Sequence, residues 1–167
     1  MRGIYCLVLK VGLATTIRVG SLGLLRFHAG TYIYVGSALG KQATSIEGRV
    51  RRHFGARHRI WWHIDYLMSS TRAVPLGVVY AETRRQWECQ LNRRLLLDLS
   101  ASQPHRHFGS SDCACESHLL FVGKPDFNGI LSEIRRVYRV LCLDPSTLLV
   151  RSRGGGVISP SLLIGYE

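Results

Sequence analysis

The sequence is poor in acidic residues and in lysine. Asp and Glu number 11 against 22 Lys and Arg, which gives a formal net charge of +11. Three of these basic residues are lysines (Lys10, Lys41 and Lys124), so the other 19 are arginines. Arginine holds phosphate oxygens through two parallel hydrogen bonds and keeps its charge when partly buried. The composition therefore favours a polyanionic partner, most simply nucleic acid, with solubility or genome-wide arginine bias as the other explanation.

Long apolar runs and a disulfide framework are also missing. No apolar run approaches the roughly 18 residues of a membrane span, so we expect no contact with a membrane. Lys10 interrupts the apolar start of the chain and no small-residue cleavage site follows, which is unlike a signal peptide. The five cysteines have no framework spacing. We therefore expect a cytoplasmic protein with reduced thiols.

A glycine-rich stretch at residues 36–41 does not match a phosphate-binding P-loop. Gly36 and Gly40 are separated by three residues instead of four, and Gln42 follows Lys41 where a P-loop has Ser or Thr. The cradle of backbone amides would be one residue short, and the hydroxyl that binds the metal is absent. A P-loop nucleotidase is therefore excluded.

The order of hydrophobic patterns predicts an α+β fold: a small antiparallel or mixed sheet flanked by helices, with an extra hairpin near the N-terminus. The predicted strands and the hairpin cover residues 3–11, 17–27 (hairpin), 30–37, 74–82 and 147–150. The predicted helices cover residues 44–57, 61–68, 83–99 and 129–142. Thr83 and Gln86 have the spacing of a capping box that opens the third helix.

Polar residues occupy core-facing positions on two of these helices. At 100° per residue, Arg49 lies about 60° and His53 about 20° from the apolar Ile46. Arg51 and Arg52 point towards solvent on the same scale. Glu88 falls on the apolar face of the third helix. Unpaired charges there would be costly, so either Arg49 and Glu88 form a structural ion pair or Glu88 binds Mg²⁺.

Five ordered motifs make the chain resemble the GIY-YIG nuclease superfamily. "GIY" occurs at residues 3–5 and "YVG", in place of "YIG", at residues 34–36. The Arg-x-x-x-His motif matches Arg49 and His53, and the family glutamate matches Glu88. Within the superfamily the chain is similar to a prokaryotic branch that is sometimes fused to endonuclease III. The resemblance covers residues 3–122 and implies a β-β-α-α-β-α core.

The resemblance also implies an activity, namely a metal-dependent endonuclease of DNA repair or processing that hydrolyses phosphodiester bonds by single-metal in-line attack. Tyr34, helped by Tyr5 and His53, would take a proton from water, which requires its pKa to fall from about 10. Arg49 would bind phosphate oxygens, and Glu88 would bind Mg²⁺ or Mn²⁺. The implied DNA-binding residues are Lys41, Arg51, Arg52 and Arg57. Gly36 and Ser37 would support the site, and Asp112 would cap or orient it. His63 and Asp65 would either support the site or contact DNA, or they form an ordinary buried hydrogen-bonded pair. The implied partners are DNA or another nucleic acid, together with a repair protein.

A second group of side chains with metal-ligating chemistry lies between residues 105 and 118. It consists of His105, His107, Asp112, Cys113, Cys115 and His118, with Cys89 on a nearby helix. The Cys-x-Cys spacing differs from the usual Cys-x₂₋₄-Cys of zinc sites, and no second clear pair exists. We therefore do not expect a structural zinc ion, and we interpret the cysteines as small buried residues.

Two alternatives to an enzyme stay open. The chain could be a catalytically inactive nucleic-acid-binding module, or a zinc-stabilised interaction domain whose charge is incidental. In each case we predict a core domain over residues 1–123 and a C-terminal extension, formed by a helix and a short strand, over residues 124–167.

Overall fold

The computed structural model describes residues 1–55, 60–123 and 126–150, together with the backbone of the last strand. It confirms the predicted α+β class. The strands are β1 (Gly3–Val11), β2 (Thr15–Arg18), β3 (Leu24–Phe27), β4 (Gly30–Ala38), β5 (Ala73–Glu82), β6 (Leu119–Gly123), β7 (Ser146–Val150) and β8 (Leu163–Tyr166). The helices are α1 (Ile46–Phe54), α2 (His63–Met68), α3 (Glu88–Asp98) and α4 (Phe127–Val140).

Six of the strands form one antiparallel sheet in the order β6-β4-β1-β5-β7-β8. β1 lies inside the sheet between β4 and β5. In the pairing of β1 with β4, Tyr5 is opposite Gly36 and Leu7 is opposite Tyr34. The rings of Tyr5 and Tyr34 therefore lie diagonally on one face, because side chains alternate between the faces along a strand. β2 and β3 form a separate hairpin.

The core fills both faces of the sheet. Alternate residues of β1 enter two separate apolar clusters: Tyr5 and Leu7 belong to the first, and Ile4 and Cys6 to the second. Helices α1 and α2 and the β2–β3 hairpin cover the first face, whereas α3 and α4 cover the second. β1 is apolar at nearly every position for this reason, since a strand buried on both faces has no solvent side.

The start of α3 differs from the prediction. The helix begins at Glu88, and the Thr83 hydroxyl accepts a hydrogen bond from the Arg85 amide at 3.1 Å in a turn that precedes it. The Thr83 amide donates to the Arg2 carbonyl at 3.0 Å, which extends the β1–β5 pairing by one residue. Thr83 thus directly follows β5 and lies outside α3, and the predicted capping box is wrong.

Among the described residues, no helix is both long and apolar enough to cross a membrane.

Candidate metal centre and polar pocket

A small polar pocket opens at the edge of the first face, where β1, β4, α1 and α3 approach the loop before β6. Its volume is about 220 Å³. It is lined by Tyr5, Tyr34, Gly36, Ser37, Arg49, Trp61, Trp62, His63, Glu88, Gly109, Ser111 and Asp112. Eight of these are site residues named from the sequence, and the fold thus brings them to one place.

Gly36 is required because the Tyr5 ring lies across it. A Cβ atom at position 36 would stand 2.6 Å from the ring atom Cζ of Tyr5. The space that the glycine leaves is therefore filled by the phenol, and it is not open to a ligand. The Tyr5 hydroxyl forms a buried 2.9 Å hydrogen bond with Nε2 of His53. His53 thus lies behind Tyr5 and holds the phenol in place.

Both tyrosines of the pocket are protonated at neutral pH. Burial raises the pKa of Tyr5 and of Tyr34, and the positive charge of Arg49 offsets only part of that increase for each. A general base needs a pKa near the working pH. The phenols are therefore suited to donating hydrogen bonds, which is the reverse of the proton acceptance predicted for Tyr34.

Arg49 is held flat against an aromatic ring at the pocket wall. Its guanidinium carbon lies 3.3 Å from the centroid of the Trp62 ring. Its Nε is buried and has no hydrogen-bond partner among the described residues. A stacked guanidinium keeps its outer N–H groups in one plane, where they can bind an anion through two bonds.

Arg52 does not point towards solvent as the helical wheel predicts. Its Nε and Nη2 donate to the buried carboxylate of Asp65 at 3.2 and 2.6 Å. The same carboxylate accepts the backbone amides of Trp61 and Trp62, each at 2.9 Å. Asp65 therefore joins α1 to the start of α2, and its role is structural.

Glu88 is one of two residues that bring a carboxyl group into the pocket, and Asp112 is the other. Burial raises the pKa of Glu88, and hydrogen bonding from Ser37 counteracts part of that rise. Asp112, which also lines the pocket, raises it further. The site therefore contains a carboxyl group that takes up a proton more readily than an exposed glutamate does.

His63 contributes a neutral ring to the pocket. The Gly109 amide donates to Nδ1 of His63 at 3.0 Å, and burial lowers the pKa of the ring. Because Nδ1 accepts this bond, the neutral ring carries its proton on Nε2. Gly109 itself needs to be glycine, since its φ is +71° and a Cβ would lie 2.6 Å from the Tyr34 ring.

Behind the pocket, four metal-ligating side chains converge. Cys89 from α3 meets Cys113, Cys115 and His118 from the loop before β6, and their ligand atoms all lie within 4.8 Å of one another. Nε2 of His118 is 3.4 Å from Sγ of Cys113 and 4.0 Å from Sγ of Cys89. A tetrahedral zinc ion with Zn–S near 2.3 Å and Zn–N near 2.0 Å separates its ligand atoms by about 3.5–3.8 Å. The cluster fits zinc in a closed Cys₃His site.

The chemistry of the cluster also favours a cation. Burial and the neighbouring thiols of Cys115 and Cys113 raise the pKa of Cys89 to about 12. The thiols of Cys89 and Cys115 therefore hold their protons tightly unless a cation replaces them. Zn²⁺ does so because it binds thiolates. With four protein ligands, such an ion would supply stability and no open coordination position for a reactant.

The metal cluster and the pocket are directly connected. Glu88 precedes Cys89, and Asp112 precedes Cys113, so two pocket side chains adjoin two candidate ligands. The loop is further fixed where the Asn92 side chain of α3 donates to the Ser117 carbonyl at 2.8 Å. A bound ion would therefore hold the two walls of the pocket together.

Two of the remaining predicted residues lie outside the pocket. Arg51 and Lys41 are exposed and do not line it, whereas Arg57 falls outside the described residues.

The fold and the cluster define an antiparallel α+β domain with a candidate Cys₃His metal centre. The model of a family described as "Domain of unknown function DUF123" matches residues 4–141, which is 138 of the 167 residues. The chain therefore belongs to this family. No curated protein and no solved structure matches the chain.

These findings correct two predictions. The resemblance to the GIY-YIG nucleases is wrong, because the matching family model is DUF123 and the Cys₃His cluster points away from those enzymes. The two glycine motifs have a packing explanation: a Cβ at Gly3 would lie 2.1 Å from the Ala81 carbonyl, and Gly36 accommodates Tyr5. The prediction of magnesium with no structural zinc is also wrong, since the cluster is of the zinc type.

The sequence contains a signal for the metal centre, although its spacing differs from the usual zinc motif. The spacing Cys113-x-Cys115-x₂-His118 places three ligands in one loop, and Cys89 supplies the fourth from 24 positions earlier. A spacing rule for local pairs misses a site whose fourth ligand arrives through the tertiary fold. The contribution of Trp61 and Trp62 was missed as well, because their sequence indicated only the start of a helix.

Proposed function

We propose that this domain is a zinc-stabilised nucleic-acid-binding module, in which the polar pocket receives a backbone phosphate. The observation that carries the proposal is the guanidinium of Arg49, stacked 3.3 Å over Trp62 at a pocket whose two phenols are protonated. A planar cation beside a neutral donor, here the hydroxyl of Tyr34, is suited to phosphate oxygens. The net charge of +11 supports a polyanion as the ligand.

Binding to labelled DNA and RNA, measured by fluorescence anisotropy, tests the proposal. Arg49→Gln removes the stacked cation, and Arg139→Gln removes the same charge from α4 on the opposite face of the sheet. A charge-assisted hydrogen bond contributes about 1.5–3 kcal/mol, so Arg49→Gln should weaken binding by roughly 10- to 150-fold. Arg139→Gln should change it less than about threefold. Absence of binding by the wild type, or equal loss in both variants, contradicts the proposal.

A second candidate function is hydrolysis of the bound phosphodiester, and the position of Glu88 favours it. An ionised carboxylate weakens the binding of an anion to a pocket, so a purely binding site gains nothing from it. In hydrolysis a water oxygen bonds to phosphorus while Glu88 accepts the proton of the water, and the bond to the leaving ester oxygen breaks as that oxygen takes a proton from solvent. Its raised pKa suits that role.

The variant Glu88→Gln separates the two functions. It keeps the shape of the side chain and removes the negative charge. A binding module should bind nucleic acid at least as tightly when the amide replaces the acid, and neither protein should cut the strand. If the domain is a hydrolase, the Glu88→Gln variant should still bind nucleic acid but should no longer cut it, either with or without added divalent cations.

The predicted repair partner and the cytoplasmic compartment stay predictions.

A further inference from the structure

Trp61 lies between the polar pocket and a second cavity. It is 56% exposed, unlike the tryptophan beside it. It lines the polar pocket on one side and, on the other, a wider groove of about 660 Å³ along α1. We call this second cavity the outer groove. Its lining includes Glu47, Arg51, Arg52 and Trp61.

Trp61 is exposed but fixed in position. Its backbone amide donates to the buried Asp65 carboxylate at 2.9 Å. The Arg52 guanidinium carbon lies 4.5 Å from the centroid of its ring, and Arg52 is itself held by Asp65. Trp62 meets the ring edge-on, with centroids 5.7 Å apart. The conformational entropy that the side chain would otherwise lose on binding is therefore already lost in folding.

The outer groove is suited to an aromatic group attached to an anion. Arg51 supplies positive charge there, whereas the charge of Arg52 is balanced by the buried Asp65 carboxylate. The acidic member of the lining, Glu47, is paired with the amino group of Met1 at 2.7 Å. Among biological ligands, a nucleotide combines a flat ring with a phosphate, and bases stack on tryptophan without regard to their sequence.

We propose that Trp61 is a stacking platform for an unpaired nucleobase of the strand whose phosphate lies in the polar pocket. This inference rests on the proposed function and narrows its ligand. In a duplex both faces of each base are covered by neighbouring base pairs, so a duplex base cannot lie on the indole unless it is flipped out. The domain should therefore prefer single strands, or duplexes with an unpaired nucleotide.

The test compares strands with and without bases. Affinities are measured by anisotropy for a labelled oligothymidylate, for a strand of equal length made of abasic deoxyribose phosphates, and for a blunt duplex. Trp61→Ala is compared with Trp61→Phe, which keeps an aromatic face. Leu24→Ala serves as the control, because it truncates another exposed apolar side chain that does not line the pocket. The hydrogen bond to Asp65 comes from the backbone, so Trp61→Ala should stay folded.

We expect Trp61→Ala to weaken binding of oligothymidylate by roughly 5- to 150-fold, the effect of losing one stacked base. Affinity for the abasic strand and the duplex should change less than about threefold, and Trp61→Phe should retain most of the affinity. Equal losses on oligothymidylate and the abasic strand, or no loss, overturn the platform. If the wild type and Trp61→Ala bind the strands equally well and Arg49→Gln does not bind them, stacking on Trp61 is refuted and the proposed function stands. If the wild type binds none of the strands, both the stacking proposal and the proposed function are refuted.

Discussion

Removal of one candidate ligand should destabilise the domain only when zinc is present. In zinc-finger peptides a structural zinc ion contributes about 10–16 kcal/mol at neutral pH. If this contribution is shared equally among the four ligands, the loss of Cys113 lowers the free energy of unfolding by about 3 kcal/mol. For a chain of this size, roughly 2–4 °C accompanies each kcal/mol, so Cys113→Ser should lower Tm by about 6–12 °C in zinc-saturated buffer.

The chelated protein provides the internal control. The Cys113 thiol is only half-buried, and its contacts with the Ser110 carbonyl at 3.8 Å and with Nε2 of His118 at 3.4 Å are weak hydrogen bonds that a serine hydroxyl can also form. After chelation, Cys113→Ser and the wild type should therefore unfold within about 1 kcal/mol of each other, because little besides the metal depends on this sulfur. Cys142→Ser changes an exposed thiol outside the cluster and should match the wild type in both buffers.

The assay is thermal unfolding with and without chelator, together with the zinc content of the purified protein. The wild type should contain close to one zinc ion per chain, and Cys113→Ser should contain much less. Two results refute the reasoning: wild-type protein that fails to retain zinc after dialysis against zinc-containing buffer, or a difference in Tm between wild type and Cys113→Ser that survives chelation unchanged.

Three further substitutions test the structure of the pocket. Asp65→Asn breaks the buried pair with Arg52 and should lower the free energy of unfolding by about 3–5 kcal/mol in urea titrations; a loss below about 1 kcal/mol would contradict the pairing. Gly109→Ala should cost about 2 kcal/mol or more because of its positive φ and the ring beside it, whereas Gly12→Ala, which meets no atom within 4 Å, should be nearly neutral. Glu88→Gln should stabilise the protein at neutral pH, since the raised pKa means that the ionised acid destabilises the fold. That gain should vanish as pH falls below the ordinary glutamate value near 4.3, and a gain independent of pH would refute the cause.

Local hydrophobic patterns predicted the central strands and α1, because the burial of each of these elements is visible in the pattern of its own residues. β1 and β4 are continuous apolar segments, and both are buried on two faces. The phase of α1 placed His53 towards the sheet, where it meets Tyr5. The same helical phase predicted the wrong environment for Arg52. It gives the direction of a side chain, but it carries no information about the Asp65 carboxylate that α2 places beside Arg52.

Most features of the site that were not predicted from the sequence depend on contacts between residues that are far apart in the sequence. Cys89 and Cys113 are 24 positions apart, and only the packing of α3 against the loop before β6 brings them together. The tyrosine pKa values depend on burial from several elements at once, which a motif does not report. β8 was not predicted, since its pairing with β7 depends on a partner strand.

The salt dependence of nucleic-acid binding tests the central claim most directly. Each phosphate contact adds about 0.7 to the slope of log Kd against log salt concentration for a single strand. If a phosphate lies against Arg49, the wild type should bind oligothymidylate with a steep slope, and Arg49→Gln should lower that slope by about one contact. An identical slope for both proteins would show that Arg49 meets no phosphate and would contradict the account.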